Sequence, residues 1–206
     1  MTIIFDFDGT LADSFDVMLQ IYNELAATRG MRPVNEADWL ELRKGTIAQG
    51  LKWTGAKPYH LPGLLAQGLK LVETRTSQIK LFPEVIPVIK KLADKGHQLF
   101  VLSTNSQPVI QEVLNKHDIG ELVTVLKSSR VFGKTQAVRK LLRTYKLDPN
   151  NVWMIGDEVR DMQAAKRAGV HAVGVEWGFQ PSQTLKAVGN VTIVKQPKDI
   201  LLLTDK

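Results

Sequence analysis

Residues 3–11 read Ile-Ile-Phe-Asp-Phe-Asp-Gly-Thr-Leu and carry the strongest structural signal of the chain. Its apolar residues form a short run that is typical of a parallel strand buried on both faces. Gly9 marks a turn directly after the run. Asp6 and Asp8 stand at the end of this strand, where buried and unpaired carboxylates would be costly. The two acids therefore indicate a functional site.

Beyond the first strand, the chain has two regions with different patterns. Between residues 14 and 80 the apolar residues recur at helical spacing. From residue 81 onwards helices alternate with short apolar strands, which indicates a parallel sheet with helices on both faces. We therefore predict an α/β fold, a doubly wound (Rossmann-like) parallel sheet formed by residues 1–13 and 81–206. A helical cap of residues 14–80 is inserted after its first strand.

The later elements are predicted from the same apolar patterns. The predicted strands are 98–102, 123–126, 151–155, 170–175 and 191–194. The predicted helices include one that starts at Pro83, one over 134–147 and one over 161–168.

Composition excludes several classes of protein. The net charge of +6 comes from 27 basic and 21 acidic residues, and the basic residues form no run, so we predict no nucleic-acid partner. The chain has no cysteine, which excludes thiolate metal sites and suits a reducing cytoplasm. No apolar stretch approaches the roughly 20 residues of a membrane span, so we predict no membrane association. We expect a cytoplasmic monomer or homodimer.

Polar residues follow the predicted strands at the edge where ligands bind in open α/β sheets. The strand that begins at residue 98 is followed by Ser103, Thr104 and Asn105. The strand of 151–155 is followed by Gly156, Asp157, Glu158 and Asp161, and Lys134 begins a helix. If the strands lie side by side, these groups face the same crevice as Asp6 and Asp8.

Clustered carboxylates need a cation, because their mutual repulsion would otherwise protonate one of them. Oxygen ligands favour Mg²⁺. One such carboxylate can attack phosphorus, and the turn at Gly9 can swing Asp8 over the site for proton transfer. Lys134 can neutralise the charges of the site. Thr104 and the Asn105 backbone N–H can donate to phosphoryl oxygens, with Ser103 as an alternative donor.

The stretch of residues 6–11 resembles the first signature of the haloacid dehalogenase-like (HAD) hydrolase superfamily. Three further signatures follow in the expected order: the Ser103–Asn105 segment, Lys134, and the acidic pair Asp157 and Asp161. The chain is most similar to the phosphoglycolate phosphatase-like branch, which has a small helical cap. It departs from many members of that branch at Thr135, where they have a proline.

The resemblance implies a role for each of these residues. Asp6 would attack phosphorus, and Asp8 would protonate the leaving group and then activate water. Thr104 would bind the phosphoryl group and Lys134 would hold the charged intermediate. The Mg²⁺ ligands would be Asp6, the backbone carbonyl of Asp8, Asp157 and Asp161, the last either directly or through water. Asp161 could instead simply cap the helix that follows it.

A basic turn in the cap offers a further candidate. Arg43 could grip the far end of a small phosphorylated substrate, although a solvated turn is an equally good interpretation. We therefore predict a Mg²⁺-dependent phosphatase that hydrolyses a small phosphomonoester through an aspartyl-phosphate. The alternatives are a phosphotransferase such as a sugar-phosphate mutase and a non-catalytic binding protein. Carbon–halogen cleavage needs no acid/base at Asp8, so the presence of Asp8 argues against it.

Overall fold

The computed structural model describes residues 1–45, 47–128 and 133–204. The chain divides into two compact units. The first, the core unit, consists of Met1–Asp13 and of the chain from Lys80 onwards, and the second, the helical unit, consists of Ser14–Ile79.

The strands of the core unit form a six-stranded sheet and a two-stranded sheet. In chain order the strands are β1 (Thr2–Phe5), β2 (Ala12–Asp13), β3 (Lys80–Leu81), β4 (Gln98–Ser103), β5 (Thr124–Lys127), β6 (Val152–Gly156), β7 (His171–Val175) and β8 (Val191–Val194). The large sheet has the order β5-β4-β1-β6-β7-β8, and all its neighbouring strands are parallel. The chain builds the sheet outward from β1 in both directions, which confirms the predicted doubly wound α/β fold.

Strand β1 lies in the middle of this sheet, between β4 and β6. All four of its residues are buried, and Phe5 pairs with Val101 on one side and Ile155 on the other. A central parallel strand is covered on both faces, which explains why its sequence is continuously apolar rather than alternating.

The two-stranded sheet was not predicted. Strands β2 and β3 contain two residues each and pair antiparallel, with Ala12 opposite Leu81 and Asp13 opposite Lys80. Two residues are too few to produce a periodic apolar pattern, so the sequence has no signal for them. The helical unit lies between these two strands in the sequence.

The helical unit contains the helices predicted for the cap region. They are α1 (Phe15–Ala27), α2 (Glu36–Leu42), α3 (Ile47–Thr54) and α4 (Leu61–Thr74). Its two tryptophans pack within the unit: Trp39 contacts the ring of Phe15 with centroids 5.4 Å apart, and Trp53 lies beneath the guanidinium of Arg32 at 3.7 Å.

The helices of the core unit differ from the predictions mainly at their ends. They are α5 (Val85–Asp94), α6 (Gln107–Asn115), α7 (Lys134–Thr144), α8 (Val159–Ala168) and α9 (Ser182–Lys186). Helix α5 begins two residues after Pro83, and α7 ends before Leu147 because Lys146 adopts a positive φ of 52°. The single-turn helix α9 was missed, since five residues are too short for a helical period to be recognised.

Helices α7, α8 and α9 cover one face of the large sheet. Val138, Leu141 and Met162 from these helices pack with Ile4 and Met154 of the sheet, and all five are almost fully buried. Residues that point to the other face, such as Ile3 and Ile155, are equally buried. Both faces are therefore covered, and the polar residues are left at the strand ends. Among the described residues, no helix combines the length and apolar character needed to cross a membrane.

Candidate active site

The carboxyl ends of three adjacent strands meet at one edge of the sheet. Asp6 follows β1, Ser103 ends β4, and Asp157 follows β6. The backbone N–H of Asp6 donates to Ile155 O at 2.8 Å, which extends the pairing of β1 with β6 by one residue. Asp6 therefore makes the last hydrogen bond between β1 and β6, and it is only 3% exposed.

The turn after β1 gives Asp8 its place. Gly9 has a φ of 73°, in the left-handed region that glycine tolerates best, and its N–H donates to Ala12 O at 2.8 Å. The carboxyl oxygen Oδ2 of Asp8 accepts a hydrogen bond from Asn105 Nδ2 at 3.0 Å, at the end of β4. The turn thus directs Asp8 across to the neighbouring strand, and its role in proton transfer stays a prediction.

Lys134 joins two of the carboxylates. Its Nζ lies 2.6 Å from Asp6 Oδ2 and 2.5 Å from Asp161 Oδ1, and its side chain is only 2% exposed. Although burial works against the charge, Asp161 and Asp6 hold the pKa of Lys134 above its usual value. The lysine is therefore a charged and buried partner of both acids rather than a solvated residue in the first turn of α7.

Asp157 is fully buried and held at both carboxyl oxygens. Thr10 Oγ1 donates to its Oδ1 at 2.9 Å, and the backbone N–H of Phe179 donates to its Oδ2 at 2.8 Å. Burial, together with the nearby charges of Glu158 and Asp6, raises the pKa of Asp157 well above its usual range. A cation beside this carboxylate would favour its ionised form.

Asp161 takes part in the capping box of α8 and also contacts Lys134, while its role as a metal ligand stays a prediction. Its Oδ2 accepts a hydrogen bond from the Glu158 N–H at 3.2 Å, within the capping box of α8, while its Oδ1 contacts Lys134. Gly156 makes room for it, because a Cβ at Gly156 would lie 2.6 Å from Asp161 Cβ. Asp161 is thus both a helix cap and a member of the buried acidic cluster.

The donor set fits a hard divalent cation. Asp6, Asp157 and Asp161 each offer a carboxyl oxygen, and these three oxygens lie within 4.8 Å of one another in a buried position. Burial raises the pKa of Asp6 to about 7 even though Lys134 opposes the shift. Lys134 contacts only two of these three buried carboxylates, so the cluster keeps an excess of negative charge that a cation would neutralise.

The segment after β4 supplies the predicted hydroxyl and amide groups. The hydroxyl of Ser103 is buried and accepts a hydrogen bond from the Asn105 N–H at 3.1 Å. That N–H was predicted to face the phosphoryl group, but in this structure it donates to Ser103. Thr104, by contrast, is half-buried.

Arg43 lies at the end of α2 in the helical unit. Its side chain is half-buried, and its Nε has no hydrogen-bond partner among the described residues. Its proposed contact with the far end of the substrate stays a prediction, as does the assignment of the Asp8 backbone carbonyl as a metal ligand.

The loop after β7 was not identified from the sequence. Trp177 Nε1 donates to Thr10 O at 3.1 Å, and Phe179 donates to Asp157 as described above. Gly178 lies between them and packs so closely that an added Cβ would be 2.1 Å from Asp157 Cβ. The one available signal was a glycine between two aromatic residues directly after a predicted strand.

An ion pair lies beside the acidic cluster. The Nε of Arg160 contacts Glu158 Oε2, with side-chain exposures of 30% and 25%. The pKa of Arg160 is held above its usual value, although burial opposes this, by the charges of Glu158 and Asp161. Arg160 therefore adds a second permanent positive charge to the site.

Replacing Gly178 by Ala should destabilise the core unit by about 1–3 kcal/mol, because the new methyl group would overlap Asp157 and the Gly9 carbonyl oxygen. Chemical denaturation of the purified variant measures this loss. Gly50→Ala is the matched control: it lies within α3 with open space around it, and we expect it to be neutral or slightly stabilising. Equal stability of Gly178→Ala and wild type would contradict the close packing of this loop.

The chain is similar to a known protein family and to several known proteins. The model of the family described as haloacid dehalogenase-like hydrolase matches residues 3–175. A phosphoglycolate phosphatase from Synechococcus elongatus is 32% identical over 200 residues, covering 97% of this chain and 94% of that protein. An N-acetylmuramic acid 6-phosphate phosphatase from Pseudomonas putida is 23% identical over 217 residues, covering 98% and 95%.

A solved structure supports the fold independently. A haloacid dehalogenase-like family hydrolase from Streptococcus pneumoniae matches with a TM-score of 0.81 at 20% identity, covering 99% of this chain and 98% of that one. At this level of identity the likeness concerns the fold alone.

Proposed function

The chain belongs to the haloacid dehalogenase-like hydrolase family and is a hydrolase acting on phosphate esters, and we propose a specific mechanism for it. In this proposal the protein is a Mg²⁺-dependent phosphatase that hydrolyses a small phosphomonoester through an aspartyl-phosphate at Asp6. The observation that carries the proposal is the buried cluster of Asp6, Asp157 and Asp161 with Lys134 between two of its members.

The cation would be held by carboxyl oxygens of Asp6 and Asp157, with the Asp8 backbone carbonyl and Asp161 completing the set. Mg²⁺ suits these hard oxygen ligands, and a site for it commonly retains several waters. When bound, Mg²⁺ supplies positive charge that offsets the repulsion between the carboxylates and the phosphoryl oxygens.

In the first step, an oxygen of the Asp6 carboxylate attacks phosphorus and the ester P–O bond breaks. The carboxyl group of Asp8 gives its proton to the departing oxygen, so that an alcohol leaves. The contact with Lys134 favours the ionised form of Asp6 against the burial that raises its pKa to about 7, and the ionised carboxylate is the nucleophile. The Thr104 hydroxyl donates a hydrogen bond to a phosphoryl oxygen.

In the second step, water attacks phosphorus and the bond to Asp6 breaks. Asp8, now ionised, accepts the proton that the water loses, which returns both acids to their starting states. Lys134 balances the negative charge on Asp161 throughout, and Thr104 keeps the phosphoryl group in place for both attacks. The cycle consumes one phosphomonoester and one water and releases an alcohol and inorganic phosphate.

The relatives suggest where to look for the substrate. Because the relative that is 32% identical to this chain carries the name phosphoglycolate phosphatase, we take 2-phosphoglycolate as the first candidate. A second relative is named for N-acetylmuramic acid 6-phosphate, so sugar phosphates belong in the same screen.

A screen of phosphorylated metabolites with Mg²⁺ tests the proposal. The purified protein should release inorganic phosphate from at least one small phosphomonoester, and a chelator should abolish the release. Formation of an isomerised sugar phosphate without free phosphate would indicate a mutase instead. If neither product forms from any member of the screen, the proposed activity is wrong.

Mg²⁺ binding should tighten as the pH rises from about 4 to 7, because burial raises the pKa of Asp6 to about 7 and protons then compete with the cation. In the metal-free protein, folded Asp6 keeps a proton that the unfolded chain has already lost above the ordinary aspartate pKa of 3.8. The contribution of Asp6 to the free energy of unfolding is therefore largest at low pH, and it decreases as the pH rises towards 7.

Denaturation curves at pH 5 and pH 7.5, each with Mg²⁺ or a chelator, measure this linkage. The stabilisation by Mg²⁺ should be larger at the higher pH. In Asp157→Asn, which lacks one of the proposed ligand charges, the Mg²⁺ effect should shrink at both values. A Mg²⁺ effect of equal size at pH 5 and pH 7.5 would contradict the proposed ligands.

A further inference from the structure

Asn105 has its side chain aimed at Asp8 rather than into open space. Its Nδ2 lies 3.0 Å from Asp8 Oδ2, the two residues are 97 positions apart in the chain, and Asn105 is 1% exposed. A buried amide that donates to a carboxylate forms a charge-assisted hydrogen bond, which is stronger and more directional than a neutral one. The contact therefore constrains the carboxyl group of Asp8.

The position of Asn105 is itself fixed by β4. Its backbone N–H donates to the buried hydroxyl of Ser103 at 3.1 Å, and the carbonyl oxygen of Ser103 accepts from the Ser128 N–H at 2.7 Å. These hydrogen bonds tie the segment after β4 to the end of β5. Asn105 thus links Asp8, which lies beyond the end of β1, to the hydrogen-bonded ends of β4 and β5.

A direct role in phosphoryl binding fits Asn105 less well. Its N–H is engaged by Ser103 and its Nδ2 by Asp8, and the polar atom with no partner among the described residues is Oδ1. Oδ1 is an acceptor only, so it would repel a phosphoryl oxygen rather than bind it. Leaving this buried acceptor unpaired is unfavourable, which indicates that the amide is oriented for the contact with Asp8.

We propose that Asn105 is a positioning residue for Asp8: it holds Oδ2 so that the carboxyl group faces the oxygen of the leaving alcohol. The inference rests on the proposed function, in which Asp8 donates a proton to that oxygen. A misplaced general acid loses much of its contribution, which is typically 10²–10⁴-fold in rate. The loss depends on how much the leaving group needs the proton.

Leaving-group dependence therefore tests the role. An alkyl phosphate releases a strongly basic alkoxide unless it is protonated, whereas p-nitrophenyl phosphate releases an anion that is stable without a proton. We expect Asn105→Ala to lower kcat/KM for the best alkyl phosphate of the screen by about 10²-fold. The loss with p-nitrophenyl phosphate should be smaller by at least about tenfold, because kcat/KM reports only the steps up to alcohol or phenol release.

A double variant separates positioning from an independent effect. If Asn105 acts through Asp8, then Asp8→Asn combined with Asn105→Ala should have the same kcat/KM for the alkyl phosphate as Asp8→Asn alone. Ser106→Ala is the matched control, since it removes a buried hydroxyl one residue further along that has no hydrogen-bond partner in the described part of the chain. It should keep the wild-type ratio between the two substrates. Asn105→Ser, which is too short to reach Asp8, replaces Asn105→Ala if the latter fails to fold.

Two results would overturn the inference: an equal loss with both substrates, which would point to phosphoryl binding, or additive losses in the double variant. Asp6→Asn, measured beside these variants, keeps this failure distinct from a failure of the mechanism. If Asp6→Asn turns over p-nitrophenyl phosphate at the wild-type rate, the proposed function is wrong. If Asp6→Asn is inactive and the substrate preference of Asn105→Ala is unchanged, the positioning role alone is wrong.

Discussion

Replacing Asp6 by Asn should reduce phosphate release by at least about 10³-fold, since removing a nucleophile generally costs as much as removing the whole catalytic group. The carboxamide is nearly the same size as the carboxylate but cannot form the aspartyl-phosphate. The variant should fold, because the substitution removes a buried charge while Lys134 keeps its contact with Asp161.

Initial rates with p-nitrophenyl phosphate and with the best metabolite of the screen measure this loss. The matched control is Asp13→Asn, an exposed carboxylate seven residues further along, which should retain the wild-type rate. Rapid acid quenching and mass spectrometry should detect a phosphate adduct on wild type and none on Asp6→Asn. Wild-type turnover by a correctly folded Asp6→Asn protein would rule out Asp6 as the nucleophile.

Replacing Lys134 by Met should lower the free energy of unfolding by about 3–5 kcal/mol, the usual cost of removing one partner of a buried ion pair. Lys134 is 2% exposed and contacts Asp6 and Asp161, so its loss leaves two buried carboxylates without their cation. Methionine matches the length of the aliphatic part, so the effect reports the charge rather than a cavity. Phosphate release should fall as well, because Asp6 would be protonated near neutral pH.

Lys140→Met is the matched control, since Lys140 lies in the same helix and is exposed. We expect it to change the free energy of unfolding by less than about 0.5 kcal/mol. Saturating Mg²⁺ should recover part of the stability of Lys134→Met by neutralising the same carboxylates. Equal effects of the two substitutions in urea denaturation would contradict a structural role for the buried lysine.

Much of the core could be predicted because its signals are local. The apolar run of residues 3–5 identified the central strand, and the alternation of strands and helices after residue 80 identified the sheet. The errors occurred where elements are too short for periodicity, as in β2, β3 and α9. Helix ends were also misplaced, because the sequence does not reveal the positive φ of Lys146 that follows α7.

The sequence indicated which residues form the candidate site, but it did not indicate which of them contact each other. Ligand groups collect at strand ends in this type of sheet, so the acids and the lysine could be named from their positions. Which group touches which could not be named. The buried position of Lys134, the clamp of Thr10 and Phe179 on Asp157, and the engagement of the Asn105 N–H by Ser103 all came from the structure.

The central strand, the doubly wound sheet and the residue types at its edge follow from the amino-acid sequence, because an apolar pattern depends on a few neighbouring residues. The contacts between the site residues follow from the folded chain. Lys134 and Asp161 are 27 positions apart, Asn105 and Asp8 are 97 apart, and Thr10 and Asp157 are 147 apart. Such pairs exist because parallel strands bring distant segments to the same edge, and burial there makes each charge depend on the partner that the fold provides.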